Sequence, residues 1–271
     1  MSATSPLDTA AALTLLTRGE IEVEGRLVEA SNATLYCQIT HDGVEAHCVY
    51  KPVAGERPLW DFPDGTLAGR EVAAYLVSKA GGWSVVPPTV HRDGPFGPGM
   101  VQLWVDADAS VELVDVLPRP ALPPGWRPVV DARGSAGERV VLAHADDARL
   151  RSMAVFDVIV NNADRKGGHI LPLGPASPDP VHGVDHGICF HVEEKLRTVL
   201  WGWAGRRLRP EDVEALERVQ GCLDGELGRQ LSEHLSRTEI GVTARRVRRL
   251  LKSAVMPMPS ESWPAIPWPA F

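Results

Sequence analysis

Residues Asn161 to Leu171 read NNADRKGGHIL, and residues Gly183 to Phe190 read GVDHGICF. The first stretch follows a long apolar run, Met153 to Val160; the second follows a loop rich in Pro and Gly. Each sets an acidic residue, Asp164 or Asp185, among residues that favour a turn. Asp164 and His169 stand five positions apart, and Asp185 follows Asp164 by 21 (185 minus 164). Phosphoryl transfer needs such a set: one carboxylate to orient an attacking hydroxyl, and two ligands to hold a metal against the phosphates.

Asn162-Ala163-Asp164-Arg165 fits an N-x-D-R pattern, and Asp185-His186-Gly187 fits D-x-G. The two stretches resemble the catalytic and metal-binding loops of the phosphatidylinositol 3-/4-kinase superfamily. In form they are similar to the type II phosphatidylinositol 4-kinases and to the HipA-like and secretory-pathway atypical kinases, with an actinobacterial group the nearest likeness. The resemblance runs through most of the chain, from residue 20 to residue 205. It implies an α+β, two-lobed protein-kinase-like fold. An antiparallel-sheet N-lobe, residues 1–106, ends at a hinge, and a mainly helical C-lobe takes residues 107–271.

The same resemblance implies ATP as phosphoryl donor, Mg²⁺ or Mn²⁺ as metal, and a hydroxyl-bearing acceptor that the likeness does not identify. Asp164 then orients the acceptor hydroxyl, while Arg165 and Lys166 stabilise charge on the transferred group. Asp185 and His169 are the metal ligands, with His169 standing where protein kinases place Asn. Mg²⁺ prefers oxygen, whereas a neutral imidazole offers nitrogen, so this exchange points to greater tolerance of Mn²⁺. It also keeps two alternatives open: a nucleotide-binding pseudokinase or regulatory module, and an adenylyl transferase. A zinc site among His182, His186 and His191 is disfavoured, because steps of four and five along a loop and strand do not share one face.

Upstream, three strands are expected at Ile21 to Ala30, Thr34 to Thr40 and Val44 to Tyr50, after a short helix from Ala10 to Arg18. Asp42-Gly43 is a hairpin signal. In the kinase reading the turn at Ser31-Asn32-Ala33-Thr34 lies over the phosphates, and Ser31 and Asn32 are nucleotide-binding candidates. Lys51 ends the third strand and Glu71 lies in a helix from Thr66 to Ala80, the pair that kinases use to fix a phosphate-binding Lys. Strands at Val85 to Val90 and Met100 to Val105 are joined by a long turn, HRDGPFGPG; Leu103 and Val105 fall where a hinge reads the base.

Leu117 to Pro128 is Pro-rich and expected to be irregular, followed by a hairpin across residues 134–137. Asp146 is read as the cap of an apolar helix running to Asn161, with Asp157 buried inside it and needing partners from the catalytic loop. Gly174 to Asp179 joins the two motifs. Helices are expected at Pro210 to Gln220, Glu226 to Leu235 and Thr243 to Ala254. Arg245, Arg246, Arg248 and Arg249 read as a solvated basic face, and the Pro-rich tail from Met256 reads as extended and packed through Trp263, Trp268 and Phe271.

The chain has 271 residues, 44% of them hydrophobic, enough for a sizeable core. A formal charge of −7 argues against nucleic acid as a partner. No apolar stretch approaches the length of a membrane span, and Met1 to Thr9 lacks the basic start and apolar run of a secretory leader. Four cysteines without a C-x-x-C pair read as reduced thiols, so a cytoplasmic location is expected.

Overall fold

Asp42 and Gly43 take left-handed backbone, φ 49° and 77°, and so make the two-residue turn of the first hairpin. The computed structural model describes residues 7–27, 32–57, 59–174 and 181–271. Helix α1 (Thr9–Arg18), capped by the Asp8 side chain, precedes β1 (Glu20–Arg26), β2 (Leu35–His41) and β3 (Val44–Pro52). Helix α2 (Leu67–Gly81) follows, held by Thr66 at its start and left-handed Gly82 at its end. β4 (Thr89–Gly94) and β5 (Gly97–Leu103) complete an antiparallel sheet in the order β1-β2-β3-β5-β4. Leu15 and Leu16 of α1 seal one part of it against Cys37, Ile39, Cys48, Tyr50 and Val101.

The β4–β5 hairpin departs from expectation. Val85 and Val86 make no strand there: their N–H groups donate to Ser78 Oγ, and Pro87 and Pro88 have no N–H to give. The residues read as a long turn are paired as far as Gly94 and Gly97. Glycines make that possible, because a Cβ at Gly94 or Gly99 would run into the Tyr50 ring at 2.7 and 2.8 Å. The Tyr50 hydroxyl closes the hairpin, donating to Gly97 O and accepting from Phe96 N–H.

The second lobe opens with a three-stranded sheet of which the sequence reading had only the hairpin across residues 134–137. β6 (Val114–Pro118), β7 (Trp126–Arg133) and β8 (Arg139–Ala145) form the order β6-β8-β7. Pro118 ends an edge strand and Pro128 sits at a register shift, the two places where a sheet tolerates proline. The hairpin across residues 134–137 is present, closed by Gly134 N–H on Glu138 O. α3 (Ala148–Val160) is capped by Asp147, not Asp146; Asp146 instead binds Arg127 and the Trp203 indole. β9 (Ile170–Pro172) and β10 (Val181–Gly183) form a short hairpin. Ser31 and residues 175–180 of the connecting loop lie outside the described residues.

Helix α4 (Pro210–Leu223) continues through Gly221, α5 (Glu226–Leu231) is short, and α6 (Arg237–Ser253) starts six residues before Thr243. Its start is a capping box between Ser236 and Glu239. Arg246 is not solvated: it is buried and donates to the carbonyls of His191 and Glu193, fixing the segment after the second motif. The main core is centred on α3, whose Leu150, Met153, Phe156 and Ile159 are buried between α2 and the C-terminal helices. The chain is therefore α+β and two-lobed, with one antiparallel sheet and two helices in the first lobe and four helices beside small sheets in the second, counted among the described residues.

Candidate active site

Lys51 reaches the cleft from the end of β3, where its strand pairs with β5 at Met100. Its Nζ lies 2.6 Å from Glu71 Oε1 on α2 and 2.8 Å from Asp185 Oδ1. The other Glu71 oxygen accepts the His186 N–H at 2.8 Å. One buried carboxylate thus holds both the lysine and the backbone beside Asp185. Burial alone would lower the Lys51 pKa, but the two carboxylates outweigh it and hold the ammonium well above its usual range. The Lys51 charge, opposed by burial, keeps Asp185 far below an ordinary carboxylate. Burial pushes Glu71 upward, against the Lys51 charge. Asp185 has φ 62°, a left-handed conformation rare outside glycine and frequent where a site imposes it.

The Asp164 loop is anchored from below. Asn161 ends α3 in a left-handed conformation, φ 52°, and its side chain donates to the carbonyls of His191 and Glu193. Asp157, fully buried one turn earlier, accepts from Asn162 Nδ2 at 3.1 Å and from Arg165 Nη2 at 2.9 Å. This corrects one expectation: Arg165 does not face the cleft. A buried carboxylate requires a counter-charge, and Arg165 supplies it with its whole side chain inside. The same guanidinium donates to Val184 O at 3.2 Å and to His186 Nε2 at 2.6 Å, tying the two motifs together. Gly183 makes room, since a Cβ there would lie 2.9 Å from Arg165 Nη1.

Asp164 and Lys166 stay in the cleft, 3.4 Å apart. Burial raises the Asp164 pKa, and Lys166 and Arg197 oppose the rise. His169 Nε2 lies 3.4 Å from Asp185 Oδ2, and burial lowers the ring pKa to about 4, so it is neutral at pH 7. The tail enters here too. Gly167 N–H donates to Ala270 O at 2.8 Å, and the Phe271 ring fills the space a Cβ on Gly167 would need.

These groups surround one cavity of about 550 Å³. Lys51, Glu71, Asp164, Lys166, His169 and Asp185 line it, together with Asn32, Leu103 and Val105. Arg165 does not line it, and Ser31 lies outside the described residues. The turn over the cavity is partly committed: Ala33 N–H donates to Gly55 O, and Asn32 Oδ1 accepts from Arg57 N–H. At the hinge, the N–H groups of Leu103 and Trp104 bind Pro88 O and His47 O, whereas Val105 N–H has no internal partner among the described residues. Glu56 and Gln102 line the cavity without having been read as site residues, and Thr34 lines it from the turn the sequence reading placed over the phosphates. Glu56 accepts the first N–H groups of α2, and Gln102 donates to Thr89 Oγ1. A lone glutamine in an apolar strand was the available signal for Gln102.

Among the described residues no three His, Cys, Asp or Glu side chains are grouped to hold a metal. The three histidines weighed for zinc are scattered: His182 binds Ser84 O, His186 is buried on Arg165, and His191 packs on Phe62. Asp185 and His169 offer one oxygen and one neutral nitrogen toward the same space. That pair fits a cation that takes its remaining ligands from phosphate and water.

No protein-family model matches the chain. Protein Rv2133c of Mycobacterium tuberculosis (strain ATCC 25618 / H37Rv) is 53% identical over 266 residues, which cover 95% of this chain and 94% of that protein. Among solved structures, the Golgi casein kinase superposes with a TM-score of 0.55 at 14% identity, over 91% of this chain and 74% of its own. The Helicobacter pylori proinflammatory kinase CtkA gives a TM-score of 0.45 at 11% identity, over 89% and 94%. The first of these structural likenesses makes the fold kinase-like.

Proposed function

The chain belongs to the same family as the mycobacterial Protein Rv2133c, and for it we propose an ATP-dependent phosphotransferase of the atypical, phosphatidylinositol 3-/4-kinase-like type. It moves the γ-phosphoryl group of ATP to a hydroxyl. In this reading residues 1–106 bind the donor, a hinge lies at their end, and residues 107–271 carry the catalytic loops. The observation that carries this reading is Lys51 between Glu71 and Asp185, at 2.6 and 2.8 Å, over the cavity that also holds Asp164. A buried structural ion pair needs two partners; a lysine shared by two carboxylates at the rim of a cleft is arranged to be redistributed when phosphate arrives.

Each residue then has a task. Lys51, fixed by Glu71, contacts the non-transferred phosphates. Val105 offers to the base edge an N–H that has no internal partner among the described residues. Asp164 orients the acceptor hydroxyl and takes its proton, and its raised pKa suits a base better than a freely solvated carboxylate would. Lys166 faces the transferred group. Asp185 and His169 would hold Mg²⁺ or Mn²⁺, which when bound neutralises charge on the phosphate oxygens. Arg165 keeps the two loops in register from below. The fold likeness does not reach the acceptor, and a lipid headgroup, a small molecule and a protein side chain all present the hydroxyl this site requires.

Nucleotide binding tests the donor half of the reading. Calorimetric titration with a non-hydrolysable ATP analogue and Mg²⁺ should give one site on the wild type, weakened by Lys51→Met. Absence of binding, or equal binding by both proteins, contradicts it. Binding without turnover of any acceptor would favour a pseudokinase. Transfer of label from the α- but not the γ-phosphate would favour adenylyl transfer.

A further inference from the structure

We infer that the tail, residues 265–271, is a positioning element of phosphoryl transfer: the Ala270 carbonyl and the Phe271 ring hold Gly167, and so fix the turn that carries Lys166 and His169. This deepens the phosphotransferase reading and rests on it. Gly167 opens the short 3-10 turn Gly167–His169, between the two side chains in question. The first N–H groups of such a turn have no partner inside it. Gly167 N–H finds one in Ala270 O at 2.8 Å, and the turn closes through His169 N–H on Lys166 O at 3.2 Å. Lys166 Nζ then lies 3.4 Å from Asp164 Oδ2, and His169 Nε2 lies 3.4 Å from Asp185 Oδ2.

Glycine at 167 is a demand of the tail, not of the turn. Its φ is not left-handed, so the backbone alone would accept a side chain. A Cβ there would collide with the Phe271 ring, whereas a Cβ at Gly168, one residue on, meets nothing within 4 Å. The tail is held upstream as well. Ala265 O accepts Thr198 N–H at 3.0 Å and the Trp201 indole N–H at 2.8 Å, and Ile266 and Ala270 pack on the main core. Thr198 belongs to the strip that braces the Asp164 loop, through Arg197 N–H on Asn162 O at 2.9 Å and Arg165 N–H on Arg197 O at 3.0 Å. The tail therefore grips the catalytic loop twice, at Gly167 directly and through residues 197–199.

Position limits what this grip can do. Lys166 and His169 line the cavity, but Gly167, Ala270 and Phe271 do not. Lys51 and Glu71, which fix the donor phosphates in the proposed reaction, come from β3 and α2 of the other lobe. The tail thus touches neither donor nor reacting atoms, and it acts through Lys166 and His169. Loosening it should slow transfer far more than it weakens ATP binding, because a misplacement of about 1 Å in such groups costs up to about a hundredfold in rate.

The test compares the full chain as wild type, Phe271→Ala, Phe271→Tyr, Gly167→Ala and the double variant Gly167→Ala/Phe271→Ala, with thermal unfolding as the folding control. Initial rates of label transfer from γ-labelled ATP to acceptors of a cell extract, at varied ATP, give apparent kcat and KM. Phe271→Ala and Gly167→Ala should each lower apparent kcat by about tenfold or more, with KM for ATP within about twofold and the unfolding temperature unchanged. Phe271→Tyr keeps the ring and should keep the rate. In the double variant the Cβ enters space the ring has left, so the loss should be no greater than in Phe271→Ala alone. Wild-type rates in Phe271→Ala, losses that multiply in the double variant, or a rate loss that tracks a lowered unfolding temperature would each overturn the positioning role. Hydrogen exchange separates that failure from failure of the phosphotransferase reading: the peptide containing Gly167 should lose protection in Phe271→Ala whatever the chain transfers. If it does and the wild type labels nothing, the phosphotransferase reading fails, taking the role in transfer with it, and the tail's grip on the loop stands. Unchanged protection refutes the grip itself.

Discussion

The Arg165 guanidinium and the Asp157 carboxylate form a fully buried ion pair, Nη2 to Oδ1 at 2.9 Å, beneath the cleft. The pair joins the end of α3 to the Asp164 loop, and through Val184 O and His186 Nε2 it reaches the Asp185 loop. Its role is to keep two loops in register, so its loss should appear first in stability.

Removing one partner leaves a charge buried without compensation, at a cost of about 3–5 kcal/mol. Asp157→Ala and Arg165→Ala should each lower the unfolding free energy by that scale, and the urea midpoint with it. Arg165→Lys should recover little, since an ammonium cannot span Asp157, Val184 O and His186 at once. Urea unfolding followed by circular dichroism measures this; midpoints within error of wild type would remove the pair from the account.

That Lys51, Glu71, Asp164 and Asp185 meet in one cleft was legible in the sequence, because they sit at landmarks: a strand end, a helix, and two turns. Arg165 was legible as a motif residue but not in its direction. Asp157, eight positions earlier (165 minus 157), was read as buried and in need of partners from the catalytic loop, but nothing adjacent in the chain shows that Arg165 is the residue of that loop that turns inward to it. The first strand of the sheet, Val114–Pro118, and the start of the second were hidden for a related reason. Pro118 and Pro128 suggest irregular chain until their places at a strand end and a register shift are known. Arg246 looked solvated among its neighbours because the carbonyls it binds, at His191 and Glu193, are some fifty residues away (246 minus 193 is 53). Contacts of that range also explain why the tail was expected to pack but not onto Gly167.

The pH dependence of turnover follows from Asp164. Burial raises its pKa, so the acid limb of activity should lie above the ordinary carboxylate range, with activity lost as pH falls through it. Lys166 opposes that rise. Lys166→Met removes a cation that favours the ionised form, and it should move the acid limb to higher pH. Profiles of kcat/KM from pH 4 to 8 test the sign; a shift to lower pH would show that Asp164 is not the titrating base.

Metal preference should follow His169. Its ring is neutral at pH 7 and presents nitrogen beside Asp185. His169→Asn replaces that nitrogen with an amide oxygen, which suits Mg²⁺ better than imidazole does. The variant should raise activity with Mg²⁺ relative to Mn²⁺. An unchanged ratio, with both metals saturating, would take His169 out of the metal site.

The central claim is that Asp164 and Asp185 serve one phosphoryl-transfer step in a shared cleft. The most direct measurement is transfer of label from γ-labelled ATP to acceptors in a cell extract, by wild type, Asp164→Ala and Asp185→Ala, each first shown to unfold at the wild-type temperature. Label transfer by the wild type and a fall of about a hundredfold or more in both variants is the predicted result. Equal labelling by all three proteins would contradict it.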